Sequence, residues 1–528
     1  MSFPSSKKGL FSRPVAALLG AAVGLLVFLL YLGTLAPTVM PYSWPLHFDT
    51  PMLQVQAATL SIAHPTGYPG YMLLTHPFTY LPFGDVAYRV NLASAVYGTA
   101  AVVMVYVVGL QLTRRMAAAA AGALLFGVGA TFWSQTAVAA VYPLNALFVM
   151  ITFSLLLLWR SSGRDRYLVA SALLMGLAMT NHMTSGLLIP AGGLFVLAVA
   201  PRRLLDPRLL LKGAGAFLLG LSLYLYLPIR TYMGAPLTET APSTPGRFLK
   251  VVTGGGMESK TFAFGLGEMP GRLGMYLEYL LQNFHPAFLV FGVVGVAYLL
   301  LLNWRSVVLP GSFYLAYLTF ALGYDIPDIF NYFIPTYLMI ALFVAAGLGA
   351  LLDTAEALLE RFSPAVGRVA VVLLALPMLA LPLVGVDETY RQEDLSGEYE
   401  GRRIIEAVAE NAEENATVIH YRSPLWYMVL VEERRQDLTL VAAFDAPWTR
   451  YENVVWPDPG DQDLTALYRM DHSGVWATGH ALGDGPVYIL DQETANPRAF
   501  RAHGYGFVEI DGEAGLFQIV PVDRTRES

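Results

Sequence analysis

Residues 49–91 read DTPMLQVQAATLSIAHPTGYPGYMLLTHPFTYLPFGDVAYRVN. The stretch follows the first strongly apolar segment of the chain and is itself too polar and too rich in proline to cross a bilayer. Asp49 stands just beyond that apolar segment. The run His64-Pro65-Thr66-Gly67-Tyr68-Pro69 makes a stiff turn: two prolines fix φ and remove N–H donors, and Gly67 permits a left-handed or closely approached backbone. A long loop with built-in stiffness is more often functional than connecting. Residues 49–91 are therefore expected to carry a catalytic base at a membrane surface.

The composition around this loop is that of a membrane protein. Of 528 residues, 55% are hydrophobic and 14% charged, with mean hydropathy +0.50, whereas a soluble domain has about a quarter charged. Apolar segments lie at 15–37, 88–112, 116–133, 138–159, 167–182, 184–200, 209–229, 286–303, 306–324, 329–351 and 366–386. That is about eleven spans by length and hydropathy, with Asn181-His182 marking a short turn or a polar kink. Lys7, Lys8, Arg13, Arg114, Arg115, Arg160, Arg164, Arg166, Arg202, Arg203, Arg208, Arg305, Arg361 and Arg368 all fall on one side if the N-terminus is cytoplasmic, as the positive-inside bias requires. The run after Arg13 is long and lacks a small-x-small cleavage site, so it reads as a retained signal anchor. The net charge of −7 says little about partners, and no basic run suggests nucleic acid. There is no cysteine, so disulfides and thiolate metal sites are excluded.

Two polar regions join the first loop on the outer side. Residues 230–285 hold Pro236, Pro242, Pro245 and Gly254-Gly255-Gly256 and read as an irregular loop with one short helix near 270–283. The triple glycine lacks the strand before it and the Gly-Lys-Ser/Thr after it that a phosphate cradle needs, so it reads as plain loop. From about 387 the composition is that of a soluble domain: helices over 398–412 and 424–434, strands over 416–421, 438–443 and 487–490, and a hairpin of 506–510 with 516–520 across Asp511-Gly512. The expected fold is mainly α, a polytopic bundle over residues 1–386, with a small extracytoplasmic α/β domain and a partly parallel sheet over 387–528.

Several residue types in this frame point to chemistry, each with a blander reading. Asp49 can be a general base; followed by Thr50-Pro51 it equally suits the N-cap of a short helix. His64, Tyr68 and His76 can bind an acceptor or a phosphate, or can satisfy the turn. Arg89 and Arg230 stand at outer ends of spans, where a guanidinium either forks onto a lipid phosphate or anchors in the interface. Trp133, Gln135, Tyr142, Asn145, Asn181, His182, Asp325, Asp328, Asn331 and Tyr332 are polar or amphipathic at or near membrane depth, where such groups face a cavity or each other. No histidine pair has zinc-ligand spacing, so no metal is expected.

The Asp-Thr start, HPTGYP and LPFGDVAYRVNLASA resemble the HPxGYP-containing transmembrane family related to the vertebrate protein O-mannosyltransferase that acts on plexins. ATFWSQTAVAAVYPLNALF, GLAMTNHMTSGLLIPA and YLYLPIR extend the resemblance in order across most of residues 15–351. The chain departs from that family at Met52 and Ala140, where acidic residues are common. The resemblance implies a GT-C glycosyltransferase that takes a sugar, mannose in the first instance, from a polyprenyl phosphate to a hydroxyl of a protein, lipid or glycan, with inversion and without a cofactor. Asp49 matches the essential acid of the first outer loop. Arg230 is then the first candidate for the donor phosphate and Arg89 the second. His64, Tyr68, Asn91, Gln135, Tyr142, Asn145, His182, Asp328 and Tyr332 are the further substrate-binding candidates. The compact loops and absent cysteines lean towards a bacterial inner membrane. Two other readings stay open: a transporter or flippase of a lipid-linked or small polar substrate, and a non-catalytic relative that binds polyprenyl lipid.

Overall fold

Each of the eleven apolar segments contains a helix in the computed structural model, which describes residues 13–42, 47–240, 242–255, 257–442, 450–451, 485–490, 500–501 and 504–522. Among the described residues, eight helices are long and apolar enough to cross a membrane alone: Pro14–Gly33, Val86–Thr113, Tyr142–Ser162, Pro207–Tyr232, Pro286–Asn303, Arg305–Gly323, Ile334–Leu359 and Pro364–Gln392. Met116–Gly127 and Ala130–Thr136 make a ninth if the pair, bent by 67°, is one span. The count is thus eight or nine against the eleven expected. The shortfall is Asp165–Asn181 and Met183–Val199, which fall below the roughly 20 residues a bilayer core requires. The chain breaks between them at His182, whose backbone is extended (φ −154°, ψ 121°). The protein is a multi-pass membrane protein.

The bundle packs through small residues, as helices in lipid do. A Cβ on Gly295 would stand 1.9 Å from the carbonyl oxygen of Phe343, and one on Gly347 1.9 Å from that of Phe291. Helices Pro286–Asn303 and Ile334–Leu359 therefore touch backbone to backbone. Gly176 and Gly220 do the same for Asp165–Asn181 and Pro207–Leu221, their Cβ positions 2.2 and 2.4 Å from the carbonyls of Phe217 and Leu173.

Three polar segments are packed together on this bundle. The first loop forms helices Thr50–Thr59 and Pro69–Thr75. The second contributes strand β1, Leu237–Thr238, with helices Pro245–Val252 and Met269–Asn283. Ile62 N–H donates to Leu237 O at 3.1 Å and Glu239 N–H to Ile62 O at 2.9 Å, which ties the two loops.

The third segment is the C-terminal tail. Its strands are β2 Thr417–His420, β3 Thr439–Ala442, β4 Arg450–Tyr451, β5 Val487–Leu490, β6 Tyr505–Asp511 and β7 Leu516–Pro521. Five of them form a sheet in the order β3-β2-β5-β7-β6. β2 pairs in parallel with β3 and β5, while β5-β7-β6 is antiparallel. Alternate side chains of a strand face opposite sides. Val418, Leu440, Tyr488 and Leu490 pack with helices Glu400–Asn411 and Leu425–Leu430, and Ile419, Val441, Val487 and Ile489 form a second cluster with Phe500. β4 pairs antiparallel with β1 of the second loop. The first cluster also takes in Val39, Met52, Val55, Ala87 and Leu237, so the tail and the loops share one apolar core.

Candidate active site on the first loop

Helix Thr50–Thr59 begins at Asp49 and is buried from Thr50 to Ala57. Asp49 occupies the N-cap position with φ −96° and ψ −13°, and its side chain makes no capping hydrogen bond. The N-cap reading of its carboxylate is thereby corrected: the carboxylate turns to the tail instead. Arg422 Nη2 donates to Asp49 Oδ1 at 2.8 Å and Arg422 Nη1 to Glu239 Oε1 at 2.5 Å. The Arg422 and Glu239 side chains are each 5% exposed and Asp49 30%. Arg422 also lies over the ring of Phe48, 4.6 Å from its centroid.

The HPTGYP turn completes this cluster. Gly67 and Tyr68 both adopt positive φ, +81° and +44°; glycine does so freely, whereas tyrosine is held there by its surroundings. Tyr68 Oη lies 2.7 Å from His64 Nε2. His64 Nδ1 lies 3.7 Å from Asp49 Oδ1 and 3.8 Å from Glu239 Oε2. Glu239 Oε2 accepts from Gln56 Nε2 at 2.7 Å and from the backbone N–H of His64 at 3.1 Å. Burial opposes charge on His64, but Asp49 and Glu239 outweigh it and raise its pKa above the usual 6.5. Burial likewise opposes charge on Glu239, yet Arg422 and the His64 and Gln56 donors bring its pKa down to about 2. The cluster sets two carboxylates, Asp49 and Glu239, against the Arg422 guanidinium and the His64 ring.

A cleft open to solvent adjoins Asp49 and is lined in part by His47, Tyr68, Gln135, Tyr142, Asp328 and Asn331. Asp328 accepts from Tyr142 Oη at 3.1 Å, and its pKa is raised by burial and by the charge of Asp49. Burial lowers His47 to about 4. Behind Tyr68, the ring of His182 stacks at 6.3 Å and meets Tyr142 and Tyr332 at 5.6 and 5.5 Å. Among the described residues no group of three or more His, Asp or Glu side chains is set to hold a metal ion.

Of the residues expected from the sequence, Asp49, Tyr68, Gln135, Tyr142 and Asp328 line the cavity, and His64, His182 and Tyr332 stand directly behind it. Asn91 sits one layer back: its Oδ1 accepts from Ala139 N–H at 2.9 Å and from Gln54 Nε2 at 2.8 Å, fixing the segment that forms the wall. Asn145 accepts from Ser185 Oγ at 2.5 Å, also behind the wall.

Neither of the two arginines expected at a phosphate lines the cavity. Arg230 donates to the carbonyls of Leu60 at 2.6 Å and Thr59 at 3.1 Å, and Arg89 to those of Gly84 at 3.0 Å and Thr79. Met52, one departure from the family pattern, is buried in the core shared with the tail, and Ala140, the other, lines the cavity.

Glu239, Arg422 and His47 escaped the sequence reading. Arg422 carried one usable signal: it follows β2, a parallel strand, and precedes helix Leu425–Leu430, the strand-end position where α/β sheets place functional groups. Glu239 lay in a loop read as irregular and had no such signal.

Residues 49–204 match the model of the TMEM260 N-terminal domain of protein O-mannosyl-transferases. The mouse protein O-mannosyl-transferase TMEM260 is 32% identical over 198 residues, covering 35% of this chain. The matched part is 27% of that relative's length. Crystal structures of ArnT from Cupriavidus metallidurans, bound to undecaprenyl phosphate and in the apo state, superpose with a TM-score of 0.58 at 13% identity, covering 96% of this chain and 98% of ArnT. The chain is therefore similar over residues 49–204 to the TMEM260 N-terminal domain, and over nearly all its length it has the fold of ArnT.

Proposed function

We propose that the protein is a membrane glycosyltransferase that moves a sugar, mannose in the first instance, from a polyprenyl phosphate to an acceptor hydroxyl of a protein, lipid or glycan. The observation that carries this reading is the Asp49 carboxylate at the edge of a cavity, with one oxygen engaged by Arg422. Arg422 takes up Oδ1, and no hydrogen bond from the described residues is made to Asp49 Oδ2. That oxygen is free to take the proton of an acceptor hydroxyl. The hydroxyl oxygen bonds to the anomeric carbon as the bond from that carbon to the phosphate oxygen breaks. Polyprenyl phosphate leaves with the bonding pair, and a single displacement inverts the anomeric centre. Tyr142, Asp328 and Gln135 offer donors and acceptors to sugar hydroxyls, and Tyr68 with His182 and Tyr332 forms the aromatic wall.

Two neighbours support the donor and the transfer: ArnT was crystallised with undecaprenyl phosphate, and the mouse relative is named an O-mannosyl-transferase. The reading sets residues 1–386 as the membrane part and 387–528 as an outer domain. The N-terminus is then cytoplasmic and the reaction extracytoplasmic, in a bacterial inner membrane.

The test is transfer of label from polyprenyl-phosphate mannose to acceptors in membranes carrying wild type or Asp49→Asn at equal abundance. Loss of about 10²- to 10⁴-fold is expected for removal of a general base. Equal transfer by the two proteins overturns Asp49 as base. Movement of the lipid across vesicles without transfer replaces the enzyme by a flippase.

A further inference from the structure

We propose that Arg422 is a positioning residue for Asp49, so that the C-terminal tail is an integral part of the reaction site. The proposal rests on Asp49 being the base and goes beyond it.

Three independent features single out Arg422. It joins two carboxylates from two different loops, Asp49 at 2.8 Å and Glu239 at 2.5 Å, while 5% exposed. Its backbone is left-handed, φ +42°, a conformation non-glycine residues hold only where the surroundings over-determine it, and which clusters at functional sites. It stands at the end of a parallel strand, over the ring of Phe48, itself a cavity-lining residue. Without the guanidinium, Asp49 and Glu239 would keep the His64 ring at 3.7 and 3.8 Å but lose the donor that holds Asp49 Oδ1. With it, Asp49 Oδ1 is fixed and Oδ2 is left toward the acceptor.

The tail is built to deliver this contact. Gly401 lets helix Glu400–Asn411 sit on the backbone before the loop, since a Cβ there would stand 2.3 Å from Val39 O. Arg402 reaches Asp85 at 3.1 Å and Thr38 Oγ1 at 3.2 Å, and Tyr427 Oη accepts from Ala87 N–H at 3.1 Å. These clasps border the segment that leads into Arg422. A tail that served only to recruit an acceptor would not need a buried arginine on the catalytic loop.

The experiment compares full-length wild type, Arg422→Gln, Arg422→Lys, Asp49→Asn and the double variant Asp49→Asn/Arg422→Gln in nanodiscs. The readouts are kcat and KM for polyprenyl-phosphate mannose, and the thermal midpoint. Misplacement of a reacting group by about 1 Å costs about 10²-fold. Arg422→Gln is therefore expected to lower kcat by about 10²-fold with the donor KM within about twofold. Arg422→Lys keeps one charge-assisted contact and is expected to recover part of the rate. The double variant should be no slower than Asp49→Asn alone, because groups acting through one another are not additive.

Wild-type kcat in Arg422→Gln overturns the proposal, as does an unchanged kcat with a raised donor KM, which makes Arg422 a phosphate contact. If the thermal midpoint of Arg422→Gln collapses, Arg422→Lys decides: full loss of rate in a folded Arg422→Lys or an additive double variant refutes positioning. An Asp49→Asn protein as fast as wild type fails the base reading itself, and an inert Asp49→Asn beside a wild-type-like Arg422→Gln fails only this proposal.

Discussion

Asp49 and Arg422 stand 373 positions apart in the chain and meet at 2.8 Å. The contact closes a circuit of four ionisable groups, because Arg422 also holds Glu239 and His64 lies within 4 Å of both carboxylates. Each member comes from a different local structure: the start of a helix, a strand-end loop, the loop after β1 and the proline turn. The circuit is therefore sensitive to the folding of three segments at once.

Among the described residues, Glu239→Ala leaves Arg422 with one carboxylate, Asp49, in place of two. Removing the partner of a buried charge outright costs about 3–5 kcal/mol; because Asp49 stays on Arg422 at 2.8 Å, the cost here falls below that range. We expect a clear fall in the thermal midpoint in nanodiscs and a smaller fall for Glu239→Gln, which keeps an acceptor for the guanidinium. A midpoint for Glu239→Ala equal to wild type would show that water or another group serves Arg422 as well.

Stability should depend on pH with opposite signs on the two sides of a plateau. His64 has its pKa raised in the folded state above 6.5, so its contribution is complete below 6.5 and is lost as pH rises through the raised value. Glu239 is depressed from 4.5 to about 2, so its contribution, about 3 kcal/mol by linkage, is present above 4.5 and lost as pH falls toward 2. The thermal midpoint should peak between these limits. His64→Gln should flatten the alkaline limb and Glu239→Gln the acid one. Unchanged limbs in either variant would detach that residue from the effect.

The sequence displayed the bundle well because spans are long apolar runs, and each of the eleven runs contains a helix. The count of independent spans was less legible, since two helices split at His182 are each short and only packing says how they lie. The five strands of the tail's sheet were readable, down to the β6–β7 hairpin, whereas the two-residue β4, Arg450–Tyr451, was not. Asp49, Tyr68, Tyr142 and Asp328 were legible as polar groups at membrane boundaries. Glu239 was not, and Arg422 carried only its place after β2 and before helix Leu425–Leu430, because what joins them is a contact across 183 positions that no local pattern encodes.

Gly347 tests the packing rather than the site. Its Cβ position lies 1.9 Å from Phe291 O, and backbone cannot yield as a side-chain tip can. Gly347→Val should separate the two helices at a cost at the upper end of the 1–3 kcal/mol typical of overpacking. The expected outcome is a lowered thermal midpoint with unchanged transfer per folded molecule. A normal midpoint would mean that the helices cross further apart.

Arg230 separates two accounts of one residue. Read from the sequence, it is the first candidate for the donor phosphate. In the structure its Nε and Nη2 are spent on Leu60 O and Thr59 O, the carbonyls at the C-terminal end of the helix that begins at Asp49. A cation there complements the helix dipole and satisfies acceptors that the helix cannot. Because Asp49 is at the other end of the same ten-residue helix, Arg230 sets where that helix ends while Arg422 fixes the group at its start. Arg230→Gln should therefore lower the thermal midpoint, by about 0.3–2 kcal/mol equivalent, and lower kcat modestly, with donor KM within about twofold. A several-fold rise in donor KM at unchanged stability would return Arg230 to the phosphate and would require its guanidinium to leave both carbonyls when the donor binds.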